Sequence, residues 1–173
     1  MTTANATLAR WNELDAEAAA REVLPCCGSS AWAAGLAARR SFANAQELFD
    51  ASDAVWAGLA EDDWREAFDS HPRIGQSHAP AATAESLAWS SDEQRAAMSP
   101  DESAKLALAA ANRQYEERFG RIFIVCASGK SATEILAILE RRMKNGAAAE
   151  MLETAEQQRQ ITQLRLRRWL GVN

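Results

Sequence analysis

Apolar residues recur at helical spacing along most of this chain, and amphipathic helices in series can bury their stripes only against one another. Ile135, Leu136, Ile138, Leu139 and Met143 form the clearest stripe, behind the capping box Ser131-Ala132-Thr133-Glu134 and before the stop at Asn145-Gly146. Ala, Leu, Glu, Arg and Gln, all good helix formers, are abundant throughout. Residues from about Thr7 to Val23 read as one helix or two short ones, ended by Pro25, Cys26, Cys27 and Gly28. Ser29 or Ser30 can cap a short helix through Ala38, and Asn44 opens a segment with Leu48, Ala51, Val55 and Leu59 on one face. Asp62-Asp63-Trp64 starts a short helix ending near Phe68, before a break at Asp69-Ser70-His71-Pro72. Ser99-Pro100-Asp101-Glu102 combines a capping serine, an N1 proline and early acids, and predicts a helix to Phe119 that Gly120 ends. The last helix spans about Ala147 to Leu170 and carries Met151, Ile161, Leu164, Leu166 and Leu170. Only Ile122 to Ala127 reads as extended, a short apolar β-branched run with no partner strand in view. The expected architecture is all-α, a single-domain multi-helix bundle over residues 1–173, with a short extended segment near 122–127.

A 173-residue chain buries roughly 70% of its unfolded surface, so a core forms without disulfides or metals. Hydrophobic residues make up 47%, which excludes a disordered composition. The net charge is −5 with Lys and Arg scattered, which argues against a nucleic-acid or anionic-membrane surface. The cysteines are Cys26, Cys27 and Cys126, an odd count without a CxxC, so neither a disulfide framework nor a four-ligand zinc site is expected. With no signal-peptide pattern, no membrane-length apolar run and no terminal Ser-Lys-Leu, a cytoplasmic protein is expected.

His71-Pro72-Arg73-Ile74-Gly75 is the strongest chemical signal. Pro72 keeps His71 out of a helix, and histidine titrates nearest neutrality. A structural histidine bonded to a carbonyl is the competing reading. His78, the other histidine, lies in a polar stretch and is not expected to do chemistry; a metal site from His71, His78 and Asp69 lacks helical i, i+4 spacing. Trp89-Ser90-Ser91-Asp92-Glu93-Gln94 reads first as a capping box opening a helix, whose N-terminal N–H groups would suit an anionic or carbonyl-rich ligand. Arg165 lies between Leu164 and Leu166, with Arg167 and Arg168 after it; most arginines of such a run are solvated, and one reaching inward to a ligand oxygen would be the exception.

Taken in order, these pieces resemble a known family. Leu24-Pro25-Cys26-Cys27-Gly28-Ser29-Ser30 with Trp32, Asp63-Trp64, Ala67-Phe68, the His71–Gly75 stretch, Trp89-Ser90, Glu93-Gln94, Tyr115 to Phe119, Phe123 to Ala127, Gly129-Lys130-Ser131 and Ile161 to Leu166 are similar to the 2-oxo-4-hydroxy-4-carboxy-5-ureidoimidazoline (OHCU) decarboxylases. The resemblance implies an all-helical, commonly homodimeric carbon–carbon lyase that needs no cofactor or metal. It implies that the chain forms (S)-allantoin from OHCU during urate breakdown. It maps catalytic roles onto His71, Glu93 and Arg165. It maps substrate contacts onto Pro72, Ser90, Ser91, Asp92, Glu93 and Gln94, and onto the strip Ile124, Val125, Cys126, Ala127 and Ser128. A non-catalytic helical module that binds a ureide is the alternative, and His71, Glu93 and Arg165 together favour the enzyme.

Overall fold

Side-chain caps set most helix starts in the structure, a computed structural model that describes residues 5–76, 79–97 and 102–172. Asn5 accepts from the Leu8 N–H to open α1 (Ala6–Asn12), and Asp15 accepts from Ala18 to open α2 (Ala16–Cys27). Ser29 opens α3 (Ser30–Ala37) and Asn44 opens α4 (Ala45–Ala57), as their sequence positions suggested. Next come α5 (Glu61–Asp69), α6 (Ala84–Glu93), a 3-10 turn (Arg95–Ala97) and α7 (Glu102–Phe119). The capping box at Ser131 and Glu134 opens α8 (Ala132–Arg142), and α9 (Ala147–Leu170) closes the chain. Among the described residues there are nine α-helices and no strand, so the chain is all-α. None of these helices is long and apolar enough to cross a membrane.

Three local expectations need correction. Pro25 does not stop α2 but sits inside its last turn, and Gly28, at φ 90°, ends the helix in the left-handed region. Ser90 to Glu93 do not begin a helix; they finish α6, whose cap is Thr83, accepting from the Ser86 N–H at 3.1 Å. The pattern misleads because Thr83 offers the same cap chemistry seven residues earlier, and with α6 starting there Ser90 lies inside the helix. Leu164 is 41% exposed, so it does not belong to the buried face of α9. The predicted helix start at Ser99-Pro100-Asp101 lies outside the described residues, as does His78.

The chain divides into two compact units, residues up to Ala67 with those from Arg159 onward, and Phe68–Gln158. In the first, α2 packs on α3 and α3 on α4, around the buried Trp11, Val23, Trp32, Leu36, Leu48 and Leu166. The buried indoles are satisfied: Trp11 Nε1 donates to the Ala19 carbonyl at 2.9 Å and Trp32 Nε1 to Ser52 Oγ at 3.2 Å. Gly35 permits the α3–α4 approach, since a Cβ there would lie 2.9 Å from Val55 Cγ1. In the second unit α7 and α8 pack over Phe123, Val125 and Ala127, with Leu108, Tyr115, Ile135 and Leu139 completing the core. Residues 122–127 have no regular secondary structure, as expected of this segment. Phe123, Val125 and Ala127 enter that core while Ile124 and Cys126 are buried outside it, the period of two of an extended chain.

Candidate functional site

The turn that carries His71 is held at three points within the second unit. His71 is 8% exposed, and its Nε2 lies 2.7 Å from Gln158 Oε1 of α9. With that amide oxygen as acceptor, Nε2 carries the ring proton, so the tautomer is set by Gln158. Arg73 reaches out from the turn and grips Glu116 of α7 with Nε and Nη2, at 2.5 and 2.8 Å. The Gly75 N–H donates to Gln94 Oε1 at 2.9 Å, and Gly75 sits at φ 85°, where a side chain is strained. Gln94, buried, is the C-cap of α6, its own N–H donating to the Ser90 carbonyl. The His71 turn and Gln94 therefore come together through backbone, which sequence spacing alone did not reveal.

The neighbours of Gln94 divide by burial. Ser90 is buried and Glu93 half-buried, whereas Ser91 and Asp92 are exposed and Asp92 pairs with Arg95 at 2.5 Å. Since these residues end α6, they lie at the carbonyl end of its dipole and not at the N–H end.

The strip Ile124 to Ala127 is buried and Ser128 is exposed. Side chains hold one edge of it. Arg142 Nη1 donates to the Ile124 carbonyl at 2.7 Å, the Cys126 N–H donates to Gln157 Oε1 at 2.9 Å, and Lys130 Nζ donates to the Cys126 carbonyl at 2.8 Å. The residue between, Val125, has no hydrogen-bond partner for its peptide groups among the described residues. Behind the strip lies an ion pair in which Arg142 and Glu150 are both fully buried. Glu150 Oε1 accepts from Arg142 Nε and Nη2 at 2.8 and 2.6 Å and from the Tyr115 hydroxyl at 2.5 Å, and Oε2 accepts from Asn145. Burial pushes the Glu150 carboxyl up, but the bonds from Arg142 and Tyr115 and the guanidinium charge outweigh it and hold it below the usual carboxylate range.

In the first unit Arg165 is 1% exposed, and its Nη1 donates to the Pro25 carbonyl at 3.2 Å, at the C-terminal turn of α2 where carbonyls lack intrahelical donors. Burial pushes the nearby Cys27 thiol up to about 12, against opposing help from the Ser29 backbone, the Thr162 hydroxyl and the Arg165 charge. Cys27 is thus held as a thiol, not a nucleophile. Arg167 stacks over Phe49 at 4.5 Å and Arg168 is exposed.

Two cavities of ≈ 330 Å³ open beside the His71 turn, one against Asn112, Arg113 and Glu116, the other against Lys105 and Leu106; neither is lined by His71, Glu93 or Gln94. Among the described residues no group of three or more His, Cys, Asp or Glu could hold a metal ion.

Gln158, Arg142 and Glu150 were not among the site residues expected from the sequence, and Tyr115 entered only with the stretch to Phe119, although a signal was present. On α9, Glu150, Thr154, Gln158 and Thr162 follow each other at intervals of four, in register with the buried Met151, Ala155, Ile161 and Leu166. On α8, Arg142 shares the face of Ile135 and Leu139. Polar residues at core register mark a buried network.

The family of OHCU decarboxylases matches the chain over residues 12–167. The uric acid degradation bifunctional protein TTL of Arabidopsis thaliana is 34% identical over 142 residues, which cover 82% of this chain and 44% of that protein; the chain thus spans less than half of that relative. The 2-oxo-4-hydroxy-4-carboxy-5-ureidoimidazoline decarboxylase of Amia calva is 44% identical over 55 residues, covering 32% of this chain and 31% of its own. A crystal structure of OHCU decarboxylase in the presence of (S)-allantoin superposes with a TM-score of 0.74 at 32% identity, covering 87% of this chain and 97% of the other. A crystal structure of (S)-allantoin synthase shares the fold, with a TM-score of 0.66 at 18% identity, covering 94% of this chain and 53% of that one.

Proposed function

The chain belongs to the OHCU decarboxylase family, and from that premise we propose that it removes CO₂ from OHCU to give (S)-allantoin in urate breakdown. The observation that carries this reading is the family match over residues 12–167, most of the chain. The substrate carries its own electron sink, a ring C=N beside the carbon that loses CO₂, so the reaction is feasible without a pyridoxal or thiamine cofactor. When the bond to the carboxylate breaks, its electron pair moves into the ring, and the adjacent C=N becomes N–H as it takes a proton. The resulting enol then collapses to the ring carbonyl as its O–H proton leaves and a proton reaches the neighbouring carbon, so that one proton net replaces the CO₂. What the protein must supply is a fixed substrate geometry, donors for the developing charge and a proton on one face only.

In this reading His71 and Glu93 orient the substrate and deliver the proton, and Arg165 fixes a polar oxygen of it. Pro72 contacts it through its carbonyl. Ser90, Ser91, Asp92 and Gln94 line the binding site, and Ile124 to Ser128 read the ring through backbone groups. Burial of His71, with one tautomer selected by Gln158, supports the first of these roles. No metal or organic cofactor takes part. We further propose a cytoplasmic homodimer, each subunit one domain over residues 1–173. A single family match over residues 12–167 supports the single domain.

The test supplies freshly generated OHCU and follows optical activity. Formation of (S)-allantoin well above the spontaneous rate, with chirality retained and unaffected by a chelator, is the expected result. Binding of OHCU without turnover would instead indicate a ureide-binding module. Sedimentation of the purified protein reads the subunit number directly.

A further inference from the structure

The proposed reaction needs a ring-reading backbone strip held to a fraction of an ångström, yet residues 122–127 have no sheet or helix to hold them. Extended backbone without a ladder must find its partners elsewhere. Here they are side chains, and all act on one edge: Gln157 on the Cys126 N–H, Lys130 on the Cys126 carbonyl and Arg142 on the Ile124 carbonyl. Lys130 is four residues from its target and moves with the same loop. Arg142 comes from α8 and is itself immobile. Its Nε and Nη2 are engaged by Glu150, its Nη2 also lies 3.2 Å from Thr154 Oγ1, and its guanidinium stacks over Phe123 at 4.6 Å. Tyr115 from α7 locks the same Glu150 oxygen. Helix α9 and the strip thus meet at the guanidinium carried by α8, with α7 bracing it through Glu150, and its remaining nitrogen, Nη1, is spent on the strip.

We propose that Arg142 is a positioning residue for the reaction: clamped by Glu150 and Tyr115, it fixes the Ile124 carbonyl and so turns the unpaired Val125 peptide edge toward the substrate ring. The proposal rests on the function proposed above. It explains why a fully buried ion pair is kept where apolar residues of equal volume could serve stability as well. Arginine is required because a guanidinium can face Glu150 and Ile124 at once, whereas an ammonium is a point donor.

The experiment compares Arg142→Lys, Tyr115→Phe and Leu136→Ala with the wild type. Leu136 packs against the same core from α8 but bonds nothing in the strip. Each protein is assayed for kcat and KM on freshly generated OHCU, and the exchange rate of the Cys126 amide proton is measured. The strip grips ring and transition state alike, so Arg142→Lys should raise KM about tenfold with kcat within about threefold. The Cys126 amide should exchange about tenfold faster. Tyr115→Phe should move both readouts the same way by less, and Leu136→Ala should lower Tm with KM within about twofold. An unchanged KM in folded Arg142→Lys, or an equal rise in Leu136→Ala, overturns the proposal. If Arg142→Lys fails to fold, Tyr115→Phe decides by the same criterion. A wild type that does not turn over OHCU defeats the functional reading alone; the Cys126 exchange then still decides whether Arg142 holds the strip.

Discussion

The buried polar side chains His71, Gln94, Arg142 and Arg165 each have a partner that defines what they can do. His71 keeps one ring nitrogen on Gln158, so replacing the histidine removes the proposed proton carrier without emptying the core. His71→Asn should lose about 10²–10⁴-fold in kcat/KM with an unchanged circular dichroism spectrum. Near-wild-type turnover would remove His71 from the mechanism. Gln158→Leu removes the partner that orients the ring through Nε2, so kcat/KM should fall, and a wild-type value would show that Gln158 does not position His71. Arg165→Lys keeps the charge but loses the planar fork, while Arg168 is exposed. A large fall in kcat/KM is expected for Arg165→Lys and little change for Arg168→Lys. Because Arg165 also holds the Pro25 carbonyl, Tm should fall as well, and equal kinetic effects in the two variants would place the substrate contact elsewhere.

Among the elements, α6 is where sequence and structure part. Ser90-Ser91-Asp92-Glu93 has the composition of a helix start and serves as a helix end. The cap that matters is Thr83, so Thr83→Ala should cost ~1 kcal/mol of stability while Ser91→Ala, at an exposed position, costs almost nothing. Denaturant midpoints for the two variants check this, and no loss in Thr83→Ala would remove Thr83 as the cap of α6. The consequence reaches the site. Gln94 takes the Gly75 N–H because it stands at the C-cap of α6, and a helix starting at Ser90 would have turned it elsewhere. The caps at Asn44 and Ser131 could be read directly, since each stands just ahead of an apolar stripe at helical spacing.

At the scale of the whole molecule, stability should respond to acid through the buried ion pair. Glu150 titrates below its ordinary value in the folded chain, so the unfolded chain binds its proton first as pH falls. The contribution is fully present above the unfolded carboxylate pKa of about 4.3 and is lost as pH falls through the lower folded value. Glu150→Gln should be less stable than the wild type at neutral pH. The gap should narrow below about pH 4, as read by urea unfolding at several pH values. A gap independent of pH would mean that the pair contributes by shape alone.

Helical class, most helix limits, the extended break at 122–127 and the polar turn at His71 were all legible in the chain, because each depends on residues within a few positions of one another: caps, apolar spacing, prolines and glycines. What joins those pieces was not. Gln158 on His71, Gln94 on Gly75 and Arg142 on Ile124 pair residues 87, 19 and 18 positions apart. Nothing local selects such partners; they are chosen by which helix faces pack together. The polar line Glu150, Thr154, Gln158, Thr162 announced that α9 would bury hydrogen-bonding groups, but only packing decided what each of them would hold.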